Sequence, residues 1–487
     1  MSTTQIDSHK ASTSKQPKSG QPGGFDRFFK LTQRHTSVGQ EFRGGLVTFI
    51  TMAYILILNP VILIANAEGT DITIGGIAAG TALVAGILSI LMGVIANFPM
   101  AMAAGMGLNA MVAFSLGLGL GLTYQEAMGV VFWEGLLILL LVLTGFREAV
   151  FRAVPRQLRS AISVGIGLFI AFVGLINAGI VRPGGTPVQL GVDGSLAGWP
   201  ALVFVVGLML IIVLYSRKVK GAILIGIAGA TALAFVIQAF FQVPVVSDEV
   251  PGGWQSTVPE VQGSLVQAPT FNTLFQIDFF GAFTKLGWLP VLLLIFSLML
   301  ADFFDTMGTM VAVGSEGNLL DDEGIPEGSR GILIVDSLGA IFGGIGGVSS
   351  NTAYVESSAG VGEGARTGLA SVFTGGLFLV SIFLAPLAAL VPAEAASTAL
   401  VFVGFLMMTQ VTEIKWNDVE HALPAFLTIA LMPFAYSITA GIGVGFVFYT
   451  LIQIARGKAG NVHPIMWVVS AAFVVYFAMG PIQALVL

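Results

Sequence analysis

Not one of the 487 residues is cysteine. Disulfides, thiolate nucleophiles and cysteine-bound metal clusters are therefore excluded. Charge is scarce too, at 10% of residues, and the four histidines (His9, His35, His421 and His463) all fall in tails or connections. An intramembrane enzyme would need a nucleophile–base pair or a metal cluster, and neither clustered histidine nor cysteine is there to build one. With a formal net charge of -6 it offers no basic surface to a nucleic acid. No enzyme activity, cofactor or metal is expected.

What the chain has is apolar length. Hydrophobic residues make up 55% of it, glycine contributes 62 positions, and the mean hydropathy is +0.90. A helix needs about 20 apolar residues to cross the hydrocarbon core. Fourteen apolar stretches of roughly that length follow one another from Gly44 to Ala455, and a further one, Ile465 to Val486, comes after them. The expected fold is an all-α polytopic protein of the cell (inner) membrane, with about fourteen transmembrane segments. Residues 1–40 are polar and read as a disordered cytoplasmic tail without a signal peptide. All but Arg182 and Lys285 of the 21 Lys and Arg residues then fall on one register of alternate connections, as a cytoplasmic N-terminus requires.

The two halves echo one another. "VFWEGL" at Val131 is answered by "VFTGGL" at Val372, and "FVGL" at Phe172 by "FVGF" at Phe402. "GMGLNAMVAF" in the third span stands opposite "VSSNTAYVES" in the tenth, and "FITMAYI" in the first opposite "FFDTMGT" in the eighth. A repeat of seven spans, being odd, inverts its second copy in the membrane. Inverted repeats place the substrate site of many secondary transporters near the bilayer midplane, at helices broken in each half.

Carboxylates inside such spans need a reason, because one at a helix centre costs about 2.5 to 3.5 kcal/mol on insertion scales. Asp302 and Asp305 are three apart in "DFFDTMGT", on one helix face. Glu356 lies in "SSNTAYVESSAGVG", too rich in small and polar residues for a continuous helix, and Asn109 occupies the glycine-rich counterpart in the first half. These two segments are expected to cross as short extended stretches lining a common pocket, in which carboxylates accept hydrogen bonds from a planar heterocycle and exchange a proton during transport. Glu134 is intramembrane too, but its repeat counterpart is Gly375, and it is set aside.

"GMGLNAMVAF", "DFFDTMGT" and "SSNTAYVESSAGVGEGARTG" resemble the signatures of AzgA-type purine permeases, a branch of the nucleobase–cation symporter superfamily that also holds the uracil and xanthine permeases. The resemblance runs from about Phe29 to about Ala455. It implies a core domain over 41–146 and 286–391, a gate domain over 147–243 and 392–456, an extracytoplasmic loop at 244–285 and a C-terminal apolar segment at 457–487. It implies proton-coupled uptake of adenine, guanine or hypoxanthine, and admits a homodimer. In the family pattern the substrate-binding positions fall on Glu356, Asp305, Asp302, Asn109, Thr352 and Ala353, with Asp302, Asp305 and Glu356 also carrying the proton. Asp305 is the better choice of the two aspartates for substrate. The alternatives are a sulfate-type anion transporter or channel on the same inverted-repeat fold, against which the three acids argue, and a uracil or xanthine permease.

Overall fold

The computed structural model describes residues 24–144, 153–247, 249–255, 258–260, 268–321 and 325–486, with backbone alone over 479–486. Arg147 and Arg152, which the charge count places on the cytoplasmic side, lie outside them. The first half comprises α1 (Val38–Met52), α2 (Ile55–Leu63), α3 (Ile74–Leu91), strand β1 (Met102–Ala104), α4 (Met106–Ala110), α5 (Tyr124–Thr144), α6 (Arg156–Asn177), α7 (Trp199–Ser216) and α8 (Ala222–Phe241). The second comprises α9 (Trp288–Gly317), α10 (Ser329–Gly346), strand β2 (Asn351–Ala353), α11 (Ser357–Gly362), α12 (Gly368–Ser381), α13 (Ala393–Met408), α14 (Val419–Phe434), α15 (Ile438–Ala455) and α16 (Pro464–Val486).

Eleven helices among the described residues are long and apolar enough to cross a bilayer, counting α1 with α2 as a single span over Val38–Asn66. Met106–Gly119, Val419–Phe434 and Pro464–Ala478 are shorter apolar helices. The expected tenth span is not a helix throughout: it is β2 followed by the six residues of α11. The helix starts follow local chemistry. The side chains of Ser37, Thr73, Thr367 and Ser437 each accept a backbone N–H in the first turn of α1, α3, α12 and α15.

Two sets of helices pack densely within themselves. In one, α12 lies on α1 and α3, and α10 on α5; in the other, α13 lies on α6 and α7, and α14 on α6 and α15. Glycine permits the closest approaches in both: a methyl at Gly368 would strike the carbonyl of Gly93, and one at Gly404 the carbonyl of Gly167.

One expectation is corrected. Residues 1–23 of the anticipated tail lie outside the described residues, but from Gly24 onward the chain is ordered and docked. Phe29 and Leu31 are buried against Leu369. Arg34 donates to the carbonyls of Asn97 and Arg366 at 2.8 and 2.9 Å. Glu327 pairs with Lys30 at 2.5 Å and with Arg34 at 3.1 Å, and the bonds from Lys30 and then Arg34 hold its carboxyl below the usual range. At the same end, Glu363 pairs with Arg43 from the first set of helices and with Lys220 from the connection between α7 and α8.

Candidate functional site

The two interrupted crossings meet. β1 and β2 pair antiparallel, Met102 with Ala353, Ala103 with Thr352 and Ala104 with Asn351. Gly105 N–H to the Ser350 carbonyl (2.9 Å) and Tyr354 N–H to the Ala101 carbonyl (3.1 Å) extend the ladder at its two ends. Ser89 Oγ accepts the Met102 N–H at 3.0 Å, and Ser357 Oγ accepts that of Ala101, also at 3.0 Å. Extended backbone within a bilayer must find all its partners inside the protein, and here the opposite crossing and the Ser89 and Ser357 hydroxyls supply them.

Around this junction the acidic side chains form two groups. The first is Asp305 on α9 and Glu356 between β2 and α11, near enough for the Glu356 charge to act on Asp305. Both are partly exposed, whereas the tyrosines beside them, Tyr54 and Tyr354, are buried. Tyr54 sits in the break between α1 and α2, where the turn aims its hydroxyl at Glu356, to which it donates. Tyr354 donates to the Ala104 carbonyl at 2.7 Å, which holds its ring 6.5 Å from that of Tyr54, centre to centre. The result is a pair of partly exposed carboxylate acceptors backed by two buried aromatic rings. It suits a flat molecule bearing N–H donors.

The second group is closed. Asp302 on α9, Glu134 on α5 and Asp336 on α10 have no accessible surface. Ser350 Oγ reaches Glu134 at 3.4 Å, Thr306 Oγ1 donates to Asp336 at 2.5 Å, and the Thr306 and Thr352 hydroxyls share a bond of 2.7 Å. Asp302 lies beside Thr352, Glu134 and Ser350, yet neither of its oxygens closes a hydrogen bond of ordinary geometry. Glu134 Oε2 and Asp336 Oδ2 are likewise unpartnered. Two like charges about 4 Å apart repel by roughly 4 kcal/mol at an effective dielectric constant of about 20. Such a group can shed or gain charge only through a proton.

Of the six residues nominated from sequence, only Asp305 and Glu356 are partly exposed. Asp302, Asn109, Thr352 and Ala353 are buried, Thr352 turned toward Thr306. Asn109 lies on α4, which packs against α2 and α9, and neither atom of its amide has a partner. Sequence reasoning passed over Tyr54, Glu134 and Asp336. Asp336 carried the same signal as Asp302, an acid within an apolar run; Glu134 was set aside because its repeat counterpart is glycine; Tyr54 had no signal beyond its place in "FITMAYI".

The site lies within residues 39–444, which match a family model named for xanthine and uracil permeases and described as a permease family. The guanine/hypoxanthine permease PbuG of Bacillus subtilis is 38% identical over 92% of this chain and 98% of its own. The adenine permease AdeP of Escherichia coli is 37% identical over 94% and 96%. Among solved structures, the transmembrane domain of the cyanobacterial bicarbonate transporter BicA superposes with a TM-score of 0.57 over 82% of this chain and 96% of that one, at 17% identity, a likeness of fold alone. With its many apolar helices, this chain is a multi-pass membrane permease rather than an enzyme, and it belongs to the xanthine/uracil permease family of the nucleobase–cation symporter superfamily.

Proposed function

We propose that this permease imports purine nucleobases, adenine, guanine or hypoxanthine, by proton symport. The observation that carries the reading is the partly exposed Asp305–Glu356 pair beside the buried rings of Tyr54 and Tyr354. Ring N–H and exocyclic amine groups of a purine would donate to the two carboxylates, each charge-assisted bond contributing about 1.5 to 3 kcal/mol. Thr352, Ala353 and Asn109 shape the wall behind them through the strand junction and α4. The names of the relatives, guanine/hypoxanthine and adenine permeases, support the substrate class.

The proton belongs to the acids: Asp305 and Glu356 exchange it at the substrate, and Asp302 exchanges it in the closed group with Glu134 and Asp336. In the full reading, fourteen spans form a 7+7 inverted repeat. Spans 1–4 and 8–11 make the core domain, and spans 5–7 and 12–14 the gate. The two densely packed helix sets and the strand junction between halves support it. The N-terminus is cytoplasmic, on the face where Lys30, Arg34, Arg43 and Lys220 gather. A homodimer through the gate domain completes the proposal. An anion transporter on this fold is less favoured, because two accessible carboxylates would repel an oxyanion.

Uptake of radiolabelled adenine, guanine, hypoxanthine, uracil and sulfate into cells lacking their own permeases tests the reading. Purine uptake abolished by a protonophore and indifferent to sodium is expected. Sulfate uptake without base uptake would overturn the substrate class, and sodium dependence the coupling.

A further inference from the structure

Gly308 lies two-thirds of the way along the 30-residue helix α9, one turn beyond Asp305, and is exposed. A Cβ built on it would meet no atom within 4 Å, so no close packing of helices requires glycine there. Glycine within a helix is nonetheless less favourable than alanine by about 1 kcal/mol. The face on which it stands looks toward α6, because Phe304, one turn earlier and about 40° round the helix, has the Arg159 guanidinium 5.6 Å from its ring centre. The exposed face that begins at Asp305 and Gly308 continues through Val311, Ala312 and Ser315.

Two contacts set the level of Gly308 against the substrate side chains. Thr306 bonds Thr352, and Glu316 Oε1 lies 3.7 Å from where a Gly362 Cβ would be. From 306 to 316, α9 therefore runs alongside 352 to 362, and Gly308 falls within this stretch, one turn and about 60° round the helix from Asp305. The missing side chain leaves open space one turn from the partly exposed Asp305.

We infer that Gly308 sets the width of the base site: the side chain it lacks leaves room beside Asp305 for the second ring of a purine. This rests on the reading of the site as base-binding. Since the space is empty of protein, a larger residue here would displace substrate and leave the fold intact, unlike substitution at the packed glycines 368 or 404.

The test is purine uptake kinetics for Gly308→Ala and Gly308→Val in cells without their own base permeases, with membrane abundance measured alongside. Gly376→Val on α12 is the control, because Gly376 also has no atom within 4 Å of its Cβ position but is not next to Asp305. Gly308→Val is expected to raise the purine KM at least about tenfold, the scale on which added methyl groups are excluded from a filled pocket, with Ala intermediate and the Gly376 variant unchanged. Should Val not reach the membrane, the Ala variant alone decides, a severalfold rise in KM being required. Wild-type purine KM in the Gly308 variants, or a fall in maximal rate with KM unchanged, would overturn the inference. If the unsubstituted protein takes up no base, the functional reading fails instead, and the two failures are distinct.

Discussion

Asp302 and Asp305 are three residues apart on one helix, yet they face different chemistry. Asp305 is partly exposed, as is Glu356, beside buried tyrosines. Asp302 is enclosed with Glu134 and Asp336, its oxygens unpartnered. On the proposed reading, a short stretch of sequence supplies one carboxylate to hold cargo and one to hold charge, and Thr306 and Thr352 are bonded nearby. The difference teaches that intramembrane acids sharing a helix face need not share a task. Neighbours on other helices decide it: α11 and the α1–α2 break for one, α5 and α10 for the other.

Glu356→Gln should break the accessible group outright. Losing a charge-assisted bond to the base costs about 1.5 to 3 kcal/mol, so saturable purine uptake should fall at least about tenfold at unchanged membrane abundance. Normal uptake would remove Glu356 from the site. Asp302→Asn probes the closed group and sharpens the contrast. It should lower accumulation to near that of de-energised cells while preserving counterflow of labelled base, whereas Asp305→Asn should impair both. Identical losses in the two variants would erase the division of labour.

Smaller effects test the surroundings. Tyr54→Phe removes the hydroxyl that donates to Glu356 and should raise purine KM by roughly fivefold, about 1 kcal/mol. Furthest from either group, Glu327 anchors Lys30 and Arg34. Its carboxyl is held below the ordinary range, so its contribution is present above the usual glutamate pKa and lost as pH falls through the folded value. Protease resistance of the segment around Arg34 should therefore hold from neutral pH down to about 5 and decline below that. Glu327→Gln should lower that resistance at neutral pH and remove its acid dependence, with uptake changed less than about twofold, as exposed ion pairs contribute little.

Hydropathy carried most of the fold into view, since a bilayer demands long apolar helices wherever it is crossed. The extended stretch at Asn351 was legible from its serines and small residues, but in the first half the expectation is corrected: the glycine-rich segment that holds Asn109 is helical from Met106, its glycines serving close packing, and the extended backbone is the apolar Met102–Ala104 before it. The pairing of the two strands was not legible, for nothing local in "AMAAG" or "NTAYV" names its partner. Asp305 and Glu356 could be nominated from sequence, but which acids stay closed depends on α5 and α10 folding over α9, and no pattern along one helix encodes that. The docked segment after Gly24 was missed because a few apolar residues, Phe29 and Leu31 among them, anchor an otherwise polar stretch.

The ladder joining Met102–Ala104 to Asn351–Ala353 carries a mechanical consequence. Stripping a peptide group of its partner in hydrocarbon costs several kcal/mol, so the zipper cannot part during turnover. Whatever displacement ferries a solute from one leaflet to the other must therefore leave both strands stitched together as a single travelling piece, and the sliding seam has to lie elsewhere.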